Sequence, residues 1–220
     1  MYDEAIANSK LQKGDTWKGN AMRPIQGASG SNHIFGADSS TAATQTQTNL
    51  AGRKHVLRML KFLKTIPGGE NATIDRMMNE TASRETFRII GETTLTVNDY
   101  TSGRIFDDAL SYSFYPIDLH DAHGVKPKPL AHGKVPTIPR GALIPKGSKN
   151  IMVAGRCLSS DRLANSAARV QASCMGMGQA AAVTAALAAK SGVTPIEVPL
   201  EKIREELKKH GAIIPQGAKA

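Results

Sequence analysis

The densest set of groups able to do chemistry lies in residues 150–190, which read NIMVAGRCLSSDRLANSAARVQASCMGMGQAAAVTAALAAK. A short apolar run ends at Gly155, and Arg156 and Cys157 follow it. A polar connection then leads into a helix built almost wholly from small residues. In α/β sheets, ligands settle where a strand ends and a helix begins. Gly155 lets a ligand come close to the backbone. The start of the helix offers unpaired N–H groups and roughly half a positive charge, which suits an anion or an oxygen that becomes anionic during reaction. Ser173 is the expected N-cap. Gly176 and Gly178 each cost the helix about 1 kcal/mol against alanine. Close approach of a flat ligand or of a neighbouring strand would offset that cost. The run from Gly176 through Gln179 to Ala181 also fits G-x-G-x-x-A. That fingerprint needs a strand immediately ahead of it, and the nearest strand ends near Gly155, so small residues for helix packing explain the match better.

Outside this segment the candidates are fewer. His120 can move a proton near neutral pH, and Asp118 can set its tautomer. Two residues apart, they share a face if the chain is extended there. The competing reading is a surface histidine in a strand-to-loop turn. Arg169, just ahead of the small-residue helix, can neutralise a substrate carboxylate or a cofactor's charge, or it can hold the loop by an ion pair. Cys157 and Cys174 match no redox or zinc spacing and read as buried free thiols. The histidines at 33, 55, 120, 123, 132 and 210 are scattered, so no metal site is expected.

These groups need elements to position them. Residues 1–49 are rich in Gly, Ser, Thr, Asn and Gln and read as irregular. Val56, Met59, Leu60 and Leu63 recur at helical spacing, so a helix is expected over 50–63, ended by Pro67, Gly68 and Gly69. Residues 87–90, 93–97 and 112–119 are β-prone, and Asn98 with Asp99 could cap a short turn. Five prolines between 127 and 145 mark an extended loop. The apolar run 150–154 reads as a strand buried on both faces. The strongest helix is expected over 173–190, and Leu200, Ile203 and Leu207 share one face of a last one. The expected class is α/β, mixed α+β, divided as 1–49, 50–137, 138–192 and 193–220.

Composition narrows the classes. Charged residues are 21% and hydrophobic ones 40%, so a packed globular chain is expected rather than disorder. Aromatic residues are only 5%, too few for the stacking platforms of a single-strand nucleic-acid binder. The net charge is +9 but spread out, over Arg53, Lys54, Arg58, Lys61 and Lys64 and over Lys126, Lys128, Lys134, Arg140, Lys146 and Lys149. That favours solvated faces and keeps polyanion binding as an alternative. No specific nucleic-acid partner and no membrane partner is expected. No apolar run reads as long enough to span a bilayer. Two cysteines and no signal-peptide pattern suggest a reducing, cytoplasmic setting.

Four motifs in order carry a resemblance: RETFRIIGETTLT (84–96), GRIFDDALSYSFYPIDLH (103–120), IPRGALIPKGSKNIMVAGRCLSS (138–160) and ARVQASCMGMGQAAA (168–182). Together they resemble the C-terminal half of a bacterial family of FAD-dependent oxidoreductases with a glutathione-reductase-type FAD domain. The resemblance implies FAD as cofactor, flavin-mediated hydride transfer on an organic substrate, and a β-rich substrate domain beside the C-terminal part of a Rossmann-type FAD domain. Gly155, Arg156 and Cys157 would lie beside the ribityl chain. Ser173, Cys174, Met175, Gly176, Gly178 and Gln179 would belong to the helix facing the flavin pyrimidine ring. The family opens with a strand, a glycine-rich turn and an acidic residue that hold the ADP half, and this sequence has none of them. The expectation is a fragment, or a split subunit whose partner chain carries that half, or a cofactor-free interaction subunit. Ala182 stands where the family has glycine, a matter of fine packing.

Overall fold

The computed structural model describes residues 2–12, 15, 34, 36–121, 124, 125 and 127–216. His33 and His123 lie outside them. The chain divides into two compact units. One is Met1–Thr86 with His120–Val125, the other Phe87–Leu119 with Lys126–Ala220.

The first unit is built on helices. Helix α1 spans Tyr2–Ala7 and α2 spans Ala42–Leu63. The second begins a full two turns before its apolar periodicity does. Its first turn is Thr- and Gln-rich, with weak helix propensity, but Thr41 caps it reciprocally with Thr44. Ala5, Leu11, Met59, Phe62, Leu63 and Ile66 form the apolar core of this unit. Residues 79–81 run along α2. Asn49 accepts from the Thr81 amide at 2.8 Å, and Gln45 donates to the Thr81 carbonyl at 3.3 Å. Gly52 permits this approach, because a Cβ there would come within 2.6 Å of Thr81 Oγ1. In the same unit His120–Asp121 (β2) and Gly124–Val125 (β3) pair antiparallel.

The second unit contains α3 (Val97–Ser102), β1 (Ala109–Tyr112), β4 (Thr137–Pro139), a 3-10 turn (Arg140–Leu143), α4 (Arg162–Ala168), α5 (Gln171–Ser191) and α6 (Leu200–Lys209). Strands β1 and β4 pair antiparallel, with a bulge between Ala109 and Ser111. This small antiparallel sheet and the surrounding helices make a mixed α and β architecture. Leu95, Tyr100, Ile138, Leu143, Leu158 and Met177 lie in its core with the alanines of α4. A second cluster joins Leu110, Ala180 and Ala188 to Ile203 and Leu207, which seats α6 against α5. Arg140 is buried beneath this junction, and its guanidinium donates to the Val198 carbonyl at 2.6 Å.

The β-prone residues 87–97 form no ladder, and the reason is where their backbone bonds go. Ile89 and Leu95 donate to Cys157 and Ser159, while Glu92 and Thr93 donate to Ile144 and Gly141. The segment is threaded between two loops and bonds to both. Gly91 sits at the tightest point, where a Cβ would meet the Gly141 oxygen and Ser159 Cβ at 2.7 Å. The expected strand at 150–154 is likewise corrected. These residues are irregular, Ile151 is 57% exposed, and among the described residues Val153 alone of them gives its N–H to another loop, at the Leu143 carbonyl. The neighbouring 3-10 turn offers no row of carbonyls to extend a ladder.

Helix α5 exceeds its expected bounds slightly, and by length and composition it could cross a membrane. The sequence reading of no such run is corrected on that point. In this fold α5 buries Ser173, Met177, Ala180, Thr184 and Ala188 along one face. Two of those five are hydroxyl residues, and the face packs on β1 and α6.

Candidate functional site

The loop at 155–157 and the first turns of α5 come together. Gly155 has φ +86°, in the left-handed region where glycine is favoured, and a Cβ there would lie 3.8 Å from Cys174 Sγ. A turn closes behind it through the Leu158 N–H and the Gly155 carbonyl at 3.1 Å. Segment 89–95 holds this loop from its other side through the Ile89 bond to Cys157 O. Cys157 Sγ contacts the Ala154 carbonyl at 3.6 Å, and Cys174 Sγ donates to the Arg169 carbonyl at 3.3 Å. Both thiols are free and half-buried. Burial pushes the Cys174 thiol up, the Arg156 cation pulls it down, and Cys157 pushes it up again. Gly155, Arg156, Cys157 and Cys174, all named from sequence, are therefore neighbours.

Ser173 is not the N-cap of α5. Val170 is, and its apolar side chain makes no capping hydrogen bond. The first intrahelical bond runs from the Cys174 N–H to the Val170 carbonyl at 2.9 Å. The amides of Cys174, Met175 and Gly176 are thus inside the helical ladder, and the unpaired ones belong to residues 170–173. Ser173 is buried, with its hydroxyl 2.7 Å from Ser113 Oγ. Met175 is 68% exposed beside this end.

The two helix glycines separate in role. At Gly176 a Cβ would stand 3.3 Å from Ser111 Cβ, so close packing on β1 accounts for it. At Gly178 a Cβ would meet nothing within 4 Å. Packing among the described residues leaves Gly178 unexplained. Gln179 points the other way, donating to the His210 carbonyl at 3.3 Å at the end of α6.

The substrate-side candidates divide. Arg169 is buried and donates to the Asp118 carbonyl at 3.0 Å, while the Asp118 amide donates to Ser166 Oγ at 3.1 Å. Asp118 and Arg169 are thereby joined in the second unit. His120 falls in the first unit, opposite Val125 in the β2–β3 pair. Among the described residues no group of three or more His, Cys, Asp or Glu can hold a metal.

Sequence reasoning missed Ser111, Ser113 and Tyr100. The signal was present in SYS at 111–113, where two small hydroxyl residues two apart face the same way on a strand edge.

Chemically, this end of α5 can stabilise negative charge. The unpaired amides carry the positive end of the helix dipole, which stabilises a charge by about 0.3–1 kcal/mol at an exposed site and up to about 2 kcal/mol when partly buried. Arg156 adds positive charge near Cys174. A family model described as FAD dependent oxidoreductase matches residues 6–207. Searches of curated proteins and of solved structures gave no match. FAD is the cofactor of that family, and the geometry fits its flavin end. There is a left-handed glycine for close approach, an uncapped helix N-terminus for an electron-rich edge, and an open glycine on the same helix. The matched span covers nearly the whole chain, which belongs to the FAD-dependent oxidoreductase family.

Proposed function

We propose that residues 155–157 and the first two turns of α5 form the flavin-binding edge of this oxidoreductase. FAD supplies hydride transfer to or from an organic substrate when bound. The observation that carries the reading is the α5 N-terminus, which is uncapped and stands beside the glycine loop. In this reading the amides of residues 170–173 hydrogen-bond the pyrimidine edge of the flavin. Gly155 lets the ribityl chain lie against the backbone, and Arg156 offsets the cofactor's negative charge. Cys157, Cys174 and Met175 supply soft apolar contact, and Gly178 leaves room for the ring to approach the helix. Gln179 acts indirectly, fixing α5 to α6. On the substrate side, Arg169 anchored by Asp118 attracts an anionic group. His120, in the first unit, is a separate candidate for proton exchange.

The finer architecture belongs to the same proposal. The loop and α5 are read as the C-terminal part of a Rossmann-type, glutathione-reductase-type FAD domain, with a β-rich substrate domain beside it. Among the described residues no glycine-rich turn directly follows a strand. We therefore assign the ADP half of FAD to such a turn on another segment or on a partner chain.

Titrating the chain with FAD and with FMN, followed by flavin fluorescence, tests this reading. Recognition of the flavin end alone predicts saturable binding of both with similar affinity, and no competition from ADP. Flavin fluorescence that never saturates, with the fold intact by circular dichroism, would refute it.

A further inference from the structure

Three hydroxyls run in line from the first turn of α5. Ser173 Oγ lies 2.7 Å from Ser113 Oγ, which lies 2.8 Å from the Tyr100 hydroxyl. The Tyr100 hydroxyl donates to the Tyr115 carbonyl at 3.2 Å. All three side chains are buried, Tyr100 completely. Burial also pushes the Tyr100 phenol above its usual range, against the pull of Ser113 and the Tyr115 carbonyl. It keeps its proton.

A carbonyl oxygen can only accept, so the single Tyr100 proton is committed to Tyr115. Ser113 must then donate to Tyr100, and Ser173 to Ser113. Every proton in the chain points away from α5. Helices α2, α3 and α4 have their ends fixed by capping side chains, Thr41, Thr96 and Asp161. Helices α5 and α6 have no side-chain cap. A cap on α5 would fix its register at the cost of occupying one of its end amides. The hydroxyl chain fixes the register from the side and leaves those amides unpaired.

We propose that Tyr100 and Ser113 are positioning residues for the flavin-facing end of α5, holding its first turn through Ser173 while leaving its amides available. The role in cofactor binding rests on the proposed function above; the hold on the turn does not.

Cys174, the next residue, reports on that turn through its thiol. Tyr100→Phe and Ser113→Ala are labelled with a thiol reagent, and the rates at Cys174 and Cys157 are read separately by mass spectrometry. Losing the chain is expected to raise the Cys174 rate about fivefold to thirtyfold relative to Cys157, the range of a lost buried hydrogen bond or two. FAD affinity should weaken by a similar factor. Tyr112→Phe, whose hydroxyl instead accepts from the Gln216 amide, should change neither. Should Ser113→Ala fail to fold, Tyr100→Phe, which removes one oxygen, carries the test. An unchanged ratio of the two rates overturns the positioning role whatever FAD does. A raised ratio with unchanged FAD affinity leaves the hold on the turn standing and overturns its link to the cofactor. Equal acceleration at both thiols means general loosening and also overturns the proposal.

Discussion

Replacing Gly178 with alanine separates stability from cofactor binding. Among the described residues the new methyl meets nothing within 4 Å, and the position lies well inside α5. A glycine in a helix interior costs about 1 kcal/mol against alanine, so Gly178→Ala should stabilise the fold by about that amount. The matching change at Gly176 should gain less, because its methyl would press Ser111 Cβ at 3.3 Å. If the flavin lies against the helix at Gly178, the same methyl occupies its space. Overpacking of one methyl costs about 1–3 kcal/mol, which is about fivefold to a hundredfold in affinity. Urea unfolding followed by circular dichroism reads the first effect, and flavin fluorescence titration reads the second. A Gly178→Ala chain that is more stable and binds FAD as well as before would refute the claim that this glycine serves the cofactor. A chain that is less stable would refute the open space at 178.

Other predictions concern the frame around the site. Gly91→Ala should destabilise the second unit by about 3 kcal/mol or more, since backbone oxygen and Ser159 Cβ leave no room for a methyl, and the urea midpoint would show it. In the first unit, buried Asp15 accepts from Arg58 at 2.8 and 2.9 Å and lies 2.7 Å from His55 Nδ1. Burial would raise the Asp15 carboxyl, but Arg58, the Gln12 amide and His55 together bring it below the usual 3.8. Burial is the main cause that takes His55 below the usual 6.5, with Asp15 opposing and Arg58 assisting. In both cases the unfolded chain binds protons first as pH falls, so stability is lost on acidification. The His55 contribution is complete above 6.5 and fades just below it, and the Asp15 contribution is complete above 3.8 and fades below that. Urea midpoints measured against pH should show both falls, and His55→Asn should abolish the upper one while keeping the lower. Asp15→Asn should cost about 2–4 kcal/mol at neutral pH, discounted because Arg58 is partly exposed. A midpoint indifferent to that change would contradict the pairing.

Much of the frame around the candidate site was legible because it rests on local signals. The alanine-rich run located α5 to within two residues at its start and one at its end, and Leu200, Ile203 and Leu207 located α6. The loop glycine at 155 was legible because only a sharp local conformation needs it there. What failed depended on partners distant in sequence. Residues 93–97 are β-prone, yet their hydrogen bonds go to two different loops, so propensity had no ladder to join. The run 150–154 is apolar enough for a buried strand, but Ile151 is exposed. Ser173 has the right type for an N-cap, yet the helix starts earlier and its hydroxyl is claimed by Ser113, sixty residues away. The first two turns of α2 went unseen because Thr, Gln and Asn hide a helix that a Thr41–Thr44 cap secures. His120 and Asp118, two apart in sequence, fall in different compact units, a division no local pattern reveals.

The most direct test of the central claim is an NMR titration of the isotopically labelled chain with FAD, following backbone amides. The account predicts that shifts concentrate at residues 155–157 and 170–178, strongest at the unpaired amides of 170–173. Shifts confined to other residues, or none at saturating FAD, would contradict it.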